Sequence, residues 1–459
     1  MRGLLVVGLV VAPWCAFAQG AAPDSARWWQ RDLLDFSGEG ASVAVNPLLD
    51  LQLGTGTNGR IFENNRGARF EAVIDGEWRV QGTLQERQGA ADPRTSYWAY
   101  ETANFQQGTV AIPGWGRAKW VDRAEYELGN PLQFDASRAT TTMERRGERL
   151  DFRAGLDNLH EGEGSGSAFW SRHAAPLPFA NLSHAAATWH ASGWIGSAIG
   201  ADRGPVGATA ESLYARQRVS RLGIGLHRKQ RWSTDVLWYR MARVPFGSEA
   251  RQVRHWGGFQ GSFRKGAFSG YVAIALDWAA CFVPSARPRW MGELVRVNGH
   301  RPHSTLWVEW HRARAGGART GQLDGGHQLP LLHSATPIAH FWGDGVSTLA
   351  MGWTGRSTNF LPKWVGHVHA ERTFMESHGA NFDSQNTWTN PPKAHLMISC
   401  ERLISRHWPI SLIIGYQHIK WGNSSQLAHP IPHNGTCFIA LSHKFHAQRR
   451  SSASHNVII

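Results

Sequence analysis

From residue 19 onward the chain has no apolar run approaching the ~20 residues that a membrane-crossing helix needs, yet it alternates apolar and polar residues one by one in stretch after stretch. Successive side chains of a strand leave on opposite faces, so such alternation specifies strands with one apolar and one polar face. Ala68, Phe70, Ala72 and Ile74 alternate with Arg69, Glu71 and Val73, and Trp232, Thr234, Val236 and Trp238 with Ser233, Asp235, Leu237 and Tyr239. Leu306, Val308 and Trp310 oppose Thr305, Trp307, Glu309 and His311; Trp364, Gly366, Val368 and Ala370 oppose Val365, His367, His369 and Glu371. Ala394, Leu396, Ile398 and Cys400 oppose His395, Met397, Ser399 and Glu401. On the order of 16 to 20 such segments lie between Gly, Pro, Asn and Asp clusters, within the range of transmembrane antiparallel β-barrels, which turn apolar side chains to lipid and polar ones to the lumen. A soluble sandwich with one wet face has the same alternation; the number of runs favours the barrel. Arg69, Glu71, Glu309, Glu371 and Glu401 are then expected to line the lumen, and Trp and Phe at run ends to form interfacial girdles.

Composition is consistent with this all-β reading. At 42% hydrophobic and 18% charged residues the chain is too apolar for a disordered polycation. Its 50 Gly, 23 Trp and 20 Phe supply turn formers and strand-favouring aromatics. The formal charge of +13 calls for acidic partners.

Residues 1–18, MRGLLVVGLVVAPWCAFA, place Arg2 before the apolar stretch Leu4–Val11 and end in Ala16 and Ala18 around Phe17. This is the order of a secretory signal peptide cleaved after Ala18. Export disfavours nucleic acid as a partner and leaves acidic glycans and lipid phosphates. Cys281, Cys400 and Cys437 remain after cleavage, an odd and widely spaced set that is no disulfide framework. Residues 19–45 form an expected periplasmic segment, 46–445 the barrel, and 446–459 a polar tail. Trp29, Leu33 and Phe36 have helical spacing behind Asp24 and Ser25, so 24–36 reads as a short helix, with a second candidate at 208–217. Both would sit at the rim or in the lumen. From Thr436 to Phe445, Cys437, Ile439, Leu441, His443 and Phe445 share one face, and the stretch resembles the aromatic-ended closing strand that the barrel assembly machinery reads in bacterial outer-membrane barrels.

Four stretches, in order, resemble the capsule assembly Wzi family of outer-membrane barrels: NPLLDLQLG (Asn46–Gly54), ENNRGARFEAVIDG (Glu63–Gly76), IPGWGRAKW (Ile112–Trp120) and GLDNLHEGEGSGSAFWSRHAAPLPFANL (Gly155–Leu182). The sequence departs where the family carries an Arg, here Gly166, and where acidic and amide residues are replaced by Arg172 and His173. If that strand touches glycan, its charge is inverted. The resemblance implies a barrel of about 18 strands in the outer membrane. It also implies a lectin-like, non-catalytic role, with external loops holding exported polysaccharide during capsule or exopolysaccharide assembly, in contact with outer-membrane lipid and lipopolysaccharide.

Sugars offer apolar faces to aromatic rings and carboxylates to Arg, which pairs with them bidentately. Three clusters have that mixture: Trp115, Arg117, Lys119 and Trp120; Trp170, Arg172 and His173; and Trp342, Asp344, Trp353 and Arg356. Glu161 and Glu163 form a carboxylate pair of the kind glycoside hydrolysis uses, but beside glycines they read better as solvated turn residues. His367, His369 and Glu371 share one strand face and could share a metal, although with 23 His in the chain coincidence is the favoured account. No H-E-x-x-H or G-x-S-x-G pattern occurs. The expectation is therefore a binding barrel without catalytic residues, cofactor or metal, with a porin-type channel for anionic solutes or saccharides as the alternative. The exported protein is expected to begin at Gln19, so N-terminal sequencing that finds an uncleaved Met1 contradicts the signal assignment.

Overall fold

The computed structural model describes residues 33–56, 59–90, 109–121, 133–202, 214–228, 231–243, 253–277, 289–313, 346–356, 364–375, 394–403, 410–420 and 434–443, with four two-residue strands between 322 and 337. Among the described residues there is no helix. The strands are β1 (Leu34–Gly38), β2 (Ala41–Gly56), β3 (Gly59–Ile74), β4 (Trp78–Ala90), β5 (Thr109–Ile112), β6 (Gly116–Trp120), β7 (Gln133–Arg146), β8 (Leu150–Asp157) and β9 (Leu177–Ala185). Then come β10 (Trp189–Asp202), β11 (Tyr214–Arg228), β12 (Trp232–Arg243), β13 (Val253–Lys265), β14 (Phe268–Asp277), β15 (Arg289–Arg301) and β16 (Ser304–Ala313). After the small β17 (Gln322–Leu323), β18 (Gly326–His327), β19 (Leu332–His333) and β20 (Thr336–Pro337) follow β21 (Val346–Arg356), β22 (Trp364–Met375), β23 (Ala394–Leu403), β24 (Ile410–Lys420) and β25 (Asn434–His443).

Apart from β17–β20, the strands belong to one antiparallel, 21-stranded sheet. Chain neighbours are sheet neighbours from β7 to β16 and from β21 to β25; β4 pairs with β7 and β16 with β21. The last strand, β25, pairs with β24 on one side and with the Leu49–Gly56 half of β2 on the other. The Ala41–Val45 half of β2 takes β1.

The two faces of this sheet are inverted relative to a water-soluble protein. Ile195, Leu222, Ile224, Leu226, Val236, Phe259, Leu306 and Val308 are all exposed, while alternate residues on the same strands, including Arg221, Glu309 and His311, are buried. In water such a continuous apolar surface is unfavourable, whereas in hydrocarbon it is required of any structure whose backbone is already hydrogen-bonded. All five alternating runs expected from sequence fall on strands in the expected sense; Glu309 and Glu371 are 3% and 9% exposed on the inner face.

The two ends of the sheet differ. Connections 75–77, 147–149, 186–188, 266–267 and 302–303 are all short and lie at one end. Asp75 and Gly76 turn tightly there with φ of 52° and 68°, the left-handed values an Asp-Gly hairpin requires. At the same end β4, β10, β12, β14 and β22 each begin with Trp or Phe, namely Trp78, Trp189, Trp232, Phe268 and Trp364. Such a row suits the interface between lipid and water. The long connection 158–176 leaves the opposite end, where β10 ends at Asp202 and β14 at Asp277.

Both helical expectations need correction where they can be compared. Leu34–Phe36, the end of the 24–36 candidate, lies in β1 and pairs with Val43–Val45. Tyr214–Gln217, the end of the 208–217 candidate, opens β11 and pairs with β10. In each case a ladder of strand hydrogen bonds overrides a helical spacing too short to hold a helix by itself. Residues 24–32 and 208–213 of the two candidates lie outside the described residues, as do Phe445, the signal segment and the tail.

Ile195, at the middle of β10 and 65% exposed, tests the lipid-facing assignment. Ile195→Arg is expected to destabilise the protein in phospholipid vesicles by ~2–4 kcal/mol, as midplane cations do. Urea unfolding followed by gel mobility measures this, and an unchanged midpoint contradicts the assignment.

Candidate functional site

The connection between β8 and β9, residues 158–176, folds inward and packs on the inner face of distant strands. Its glycines explain how it fits. Gly162 has φ of 97°, and a Cβ there would run into the Tyr271 ring on β14. At Gly164 a Cβ would lie 2.7 Å from a Leu294 methyl on β15, and at Gly166 2.7 Å from Nδ1 of His311 on β16. Only a backbone without side chains passes this close to the far wall.

Two carboxylates, Glu309 buried and Glu161 half-buried, hold the segment. Glu161 accepts hydrogen bonds from Arg221 at 2.7 Å, the Tyr239 hydroxyl at 2.9 Å and Gln260 at 3.3 Å, on β11, β12 and β13. On the other side Glu309 of β16 accepts from the Ser165 amide at 2.7 Å, the Ser165 hydroxyl at 2.5 Å and the Gly166 amide at 3.3 Å, and pairs with Arg296 at 3.1 Å. Removing one partner of such a buried pair leaves an uncompensated charge, at a cost of ~3–5 kcal/mol. Apolar packing completes the anchorage. Phe169 stacks on Tyr239 at 5.9 Å, Tyr239 on Trp256 at 4.9 Å, and Trp170 meets Trp194 edge-on at 5.4 Å.

The segment is also closed on itself. The Glu161 amide donates to the Trp170 carbonyl at 2.8 Å, and the Ser167 hydroxyl accepts from the amides of Phe169 and Trp170. His160 sits between two backbone groups: Nε2 donates to the Gly164 carbonyl at 3.2 Å, and Nδ1 accepts from the Arg172 amide at 3.3 Å. Only the neutral ring serves both. Burial, reinforced by the Arg172 charge, lowers its pKa from 6.5 to about 4.

A second insertion, the β5–β6 hairpin, meets this segment toward the end with long connections. The Gly114 amide donates to the His173 carbonyl at 2.7 Å, and the Asn158 side chain donates to the carbonyls of Gly114 at 3.0 Å and Ala174 at 2.7 Å. Trp115 lies under two guanidinium groups, Arg138 at 4.6 Å and Arg87 at 5.8 Å. Arg87 pairs with Glu63 at 2.7 Å, and Arg138 donates to Gln85 at 2.6 Å.

Of the residues expected from sequence, the structure brings together Trp115, Arg172 and His173, with Arg172 exposed and the other two half-buried. Lys119 is exposed on β6, and Arg117 and Trp120 take their places in the same hairpin ladder. Trp170 is only 1% exposed, so its ring serves packing and offers no face to a sugar. Trp353 and Arg356 lie elsewhere, at the short-turn end of β21; Trp353 pairs with Leu306 and Val368 and joins the aromatic row. Trp342 and Asp344 lie outside the described residues. Glu161 has a structural partner set in place of the solvated turn expected for it. Arg87, Arg138, Asn158, Arg221 and Arg296 were missed, because their importance arises only from strands far apart in sequence.

No protein-family model matches the sequence, and no curated protein matches it. Solved structures do. Wzi of Escherichia coli, an outer-membrane protein involved in group 1 capsule assembly and described as a carbohydrate-binding β-barrel, superposes with a TM-score of 0.52 at 12% identity, covering 86% of this chain and 83% of that one. OccK11 (OpdR) of Pseudomonas aeruginosa gives 0.46 at 10% identity over 87% and 95% of the two chains. At this identity the likeness to Wzi establishes the fold, that of an outer-membrane β-barrel.

Two changes test the anchorage. Gly162→Val, which the Tyr271 ring excludes, should expose Phe169 and Trp170 to chymotrypsin in an otherwise folded barrel, whereas the wild type resists cleavage. Between pH 6.5 and about 4 the unfolded segment takes up a proton on His160 that the folded one refuses, so its stability falls as pH falls through that window and levels off below it. Hydrogen-exchange protection of 158–176, corrected for intrinsic rates, should follow this course, and His160→Gln should flatten it.

Proposed function

We propose that this protein is an outer-membrane barrel that binds acidic exported polysaccharide at the cell surface and supports capsule or exopolysaccharide assembly without catalysing a reaction. Setting aside β1 and the β5–β6 hairpin, 18 of the 21 strands remain, and the pairing of β25 with β2 joins the last of them to the first. We read them as a closed barrel inserted through its apolar face, with the short turns in the periplasm and the long connections outward. A cleaved signal peptide and the barrel assembly machinery deliver it there.

The observation that carries the reading is the 158–176 segment. Held through Glu161 to Arg221, Tyr239 and Gln260 on one wall and through Ser165 to Glu309 on another, it fills lumen that an open pore would leave to water. Binding is then left to the outward end, where Trp115, Arg172, His173 and Lys119 combine an aromatic ring with cations. An Arg there suits a uronate carboxylate, and the formal charge of +13 suits an acidic polymer. The fold shared with Wzi supports the same reading. The arginines on the inner wall, Arg221 and Arg296 among them, favour a second one, a channel for anionic solutes narrowed by the inward segment.

In a capsulated host, deletion of the gene is expected to release cell-bound polysaccharide into the medium. The purified protein is expected to retain acidic polysaccharide more weakly as salt rises, and about tenfold or more weakly with Trp115→Ala or Arg172→Glu, the scale of losing an anchoring side chain. Unchanged cell-bound polysaccharide, together with retention indifferent to salt and to both substitutions, contradicts the proposal.

A further inference from the structure

The register of β22 and β23 creates a side-chain cluster unrelated to the inward segment. Glu371 lies directly across from His395, and His369, two residues before Glu371, shares its face. The ligand atoms of the three all lie within 4.8 Å of one another, with Glu371 and His395 buried and His369 half-buried. His369 Nε2 and Glu371 Oε2 are 3.4 Å apart, matching the ~3.4 Å between ligand atoms around a tetrahedral ion bound at about 2.1 Å. His367, the third residue suggested by alternation, instead faces Glu401 at 3.8 Å.

We infer that His369, Glu371 and His395 form a binding site for a single divalent transition-metal ion on the inner wall of the barrel. Two imidazoles and one carboxylate are a borderline donor set that suits zinc, cobalt or nickel, and not the all-oxygen shells of calcium and magnesium. Three protein ligands leave at least one coordination position open to water or a carboxylate. The surroundings have the outer shell that orients metal-binding histidines. The Gln417 side chain of β24 lies 3.0 Å from Nε2 of His395, where its amide, turned to present the carbonyl oxygen, accepts the Nε2 proton and leaves Nδ1 as the ligand atom, and the Trp307 ring packs against His369 at 5.6 Å. The site does not depend on the polysaccharide reading, and a channel would carry it equally well.

The test is titration of the full-length, chelator-stripped protein in detergent with cobalt chloride, followed by visible absorption, and with zinc chloride by calorimetry. One equivalent of cobalt with intense ligand-field bands is expected. His369→Ala and His395→Ala should remove that equivalent, His227→Ala should leave it, and Gln417→Ala should weaken it by ~10–100-fold. Heat-modifiable gel mobility checks that each variant still forms its barrel. Should both alanine variants fail this check, the near-isosteric Glu371→Gln decides. No stoichiometric cobalt in the wild type, or the same binding in folded ligand variants, overturns the inference.

Discussion

Hydrocarbon offers no hydrogen bonds to a peptide group, and that constraint orders everything else in this protein. Each long strand must be paired along both edges, and the antiparallel ladder from β2 through β25 does so, down to the division of β2 between β1 and β25. Once the backbone is satisfied, period-two alternation sends Ile195, Leu222, Ile224 and Leu306 outward and Arg221, Glu309 and His311 inward. The buried charges are thus a consequence of geometry: the polar half of each strand has nowhere else to go. They must then find partners among themselves, as Arg254 and Asp277 do at 2.8 Å on neighbouring strands.

The inward segment answers the same need. A polar inner wall carrying Arg221, Arg296 and Glu309 is costly to bury, and 158–176 supplies complementary groups. Glu161 meets Arg221, and the Ser165 amide and hydroxyl meet Glu309, which Arg296 also holds. The glycines at 162, 164 and 166 let the backbone approach closely enough for these bonds to form, and Phe169 and Trp170 exclude water beside them. Removing the anchors and removing the glycines should therefore have similar outcomes, since each makes the other possible.

Much of the wall was legible in the sequence because a strand's facing is a local property. The alternation of Leu306, Val308 and Glu309, or of His395 and Ile398, states which side each residue takes once the strand is recognised. Helical spacing over 24–36 and 208–217 misled because three or four well-placed residues weigh little against a ladder of strand pairing. The site was less legible. Gly-rich 160–167 stood out, but as a turn, since only the distant Tyr271, Leu294 and His311 explain why glycine is required there. Trp170 and Trp353 had the same composition around them as Trp115, yet one is in the interior packing and one in the aromatic row. What separates them is position along a strand and distance to other strands, which no local window contains. The histidines show the same division: His369 and Glu371 follow from alternation, and His395 joins them only through the register of β22 with β23.

The central claim is that residues 158–176 cross and close the lumen of a membrane barrel. The most direct measurement is conductance across a planar lipid bilayer, comparing the wild type with a variant whose residues 160–171 are replaced by a short Gly/Ser linker. The account predicts a wild type that inserts but is nearly silent, and a variant with stable open steps. Stable, anion-selective steps from the wild type, unchanged on removal of the segment, contradict it.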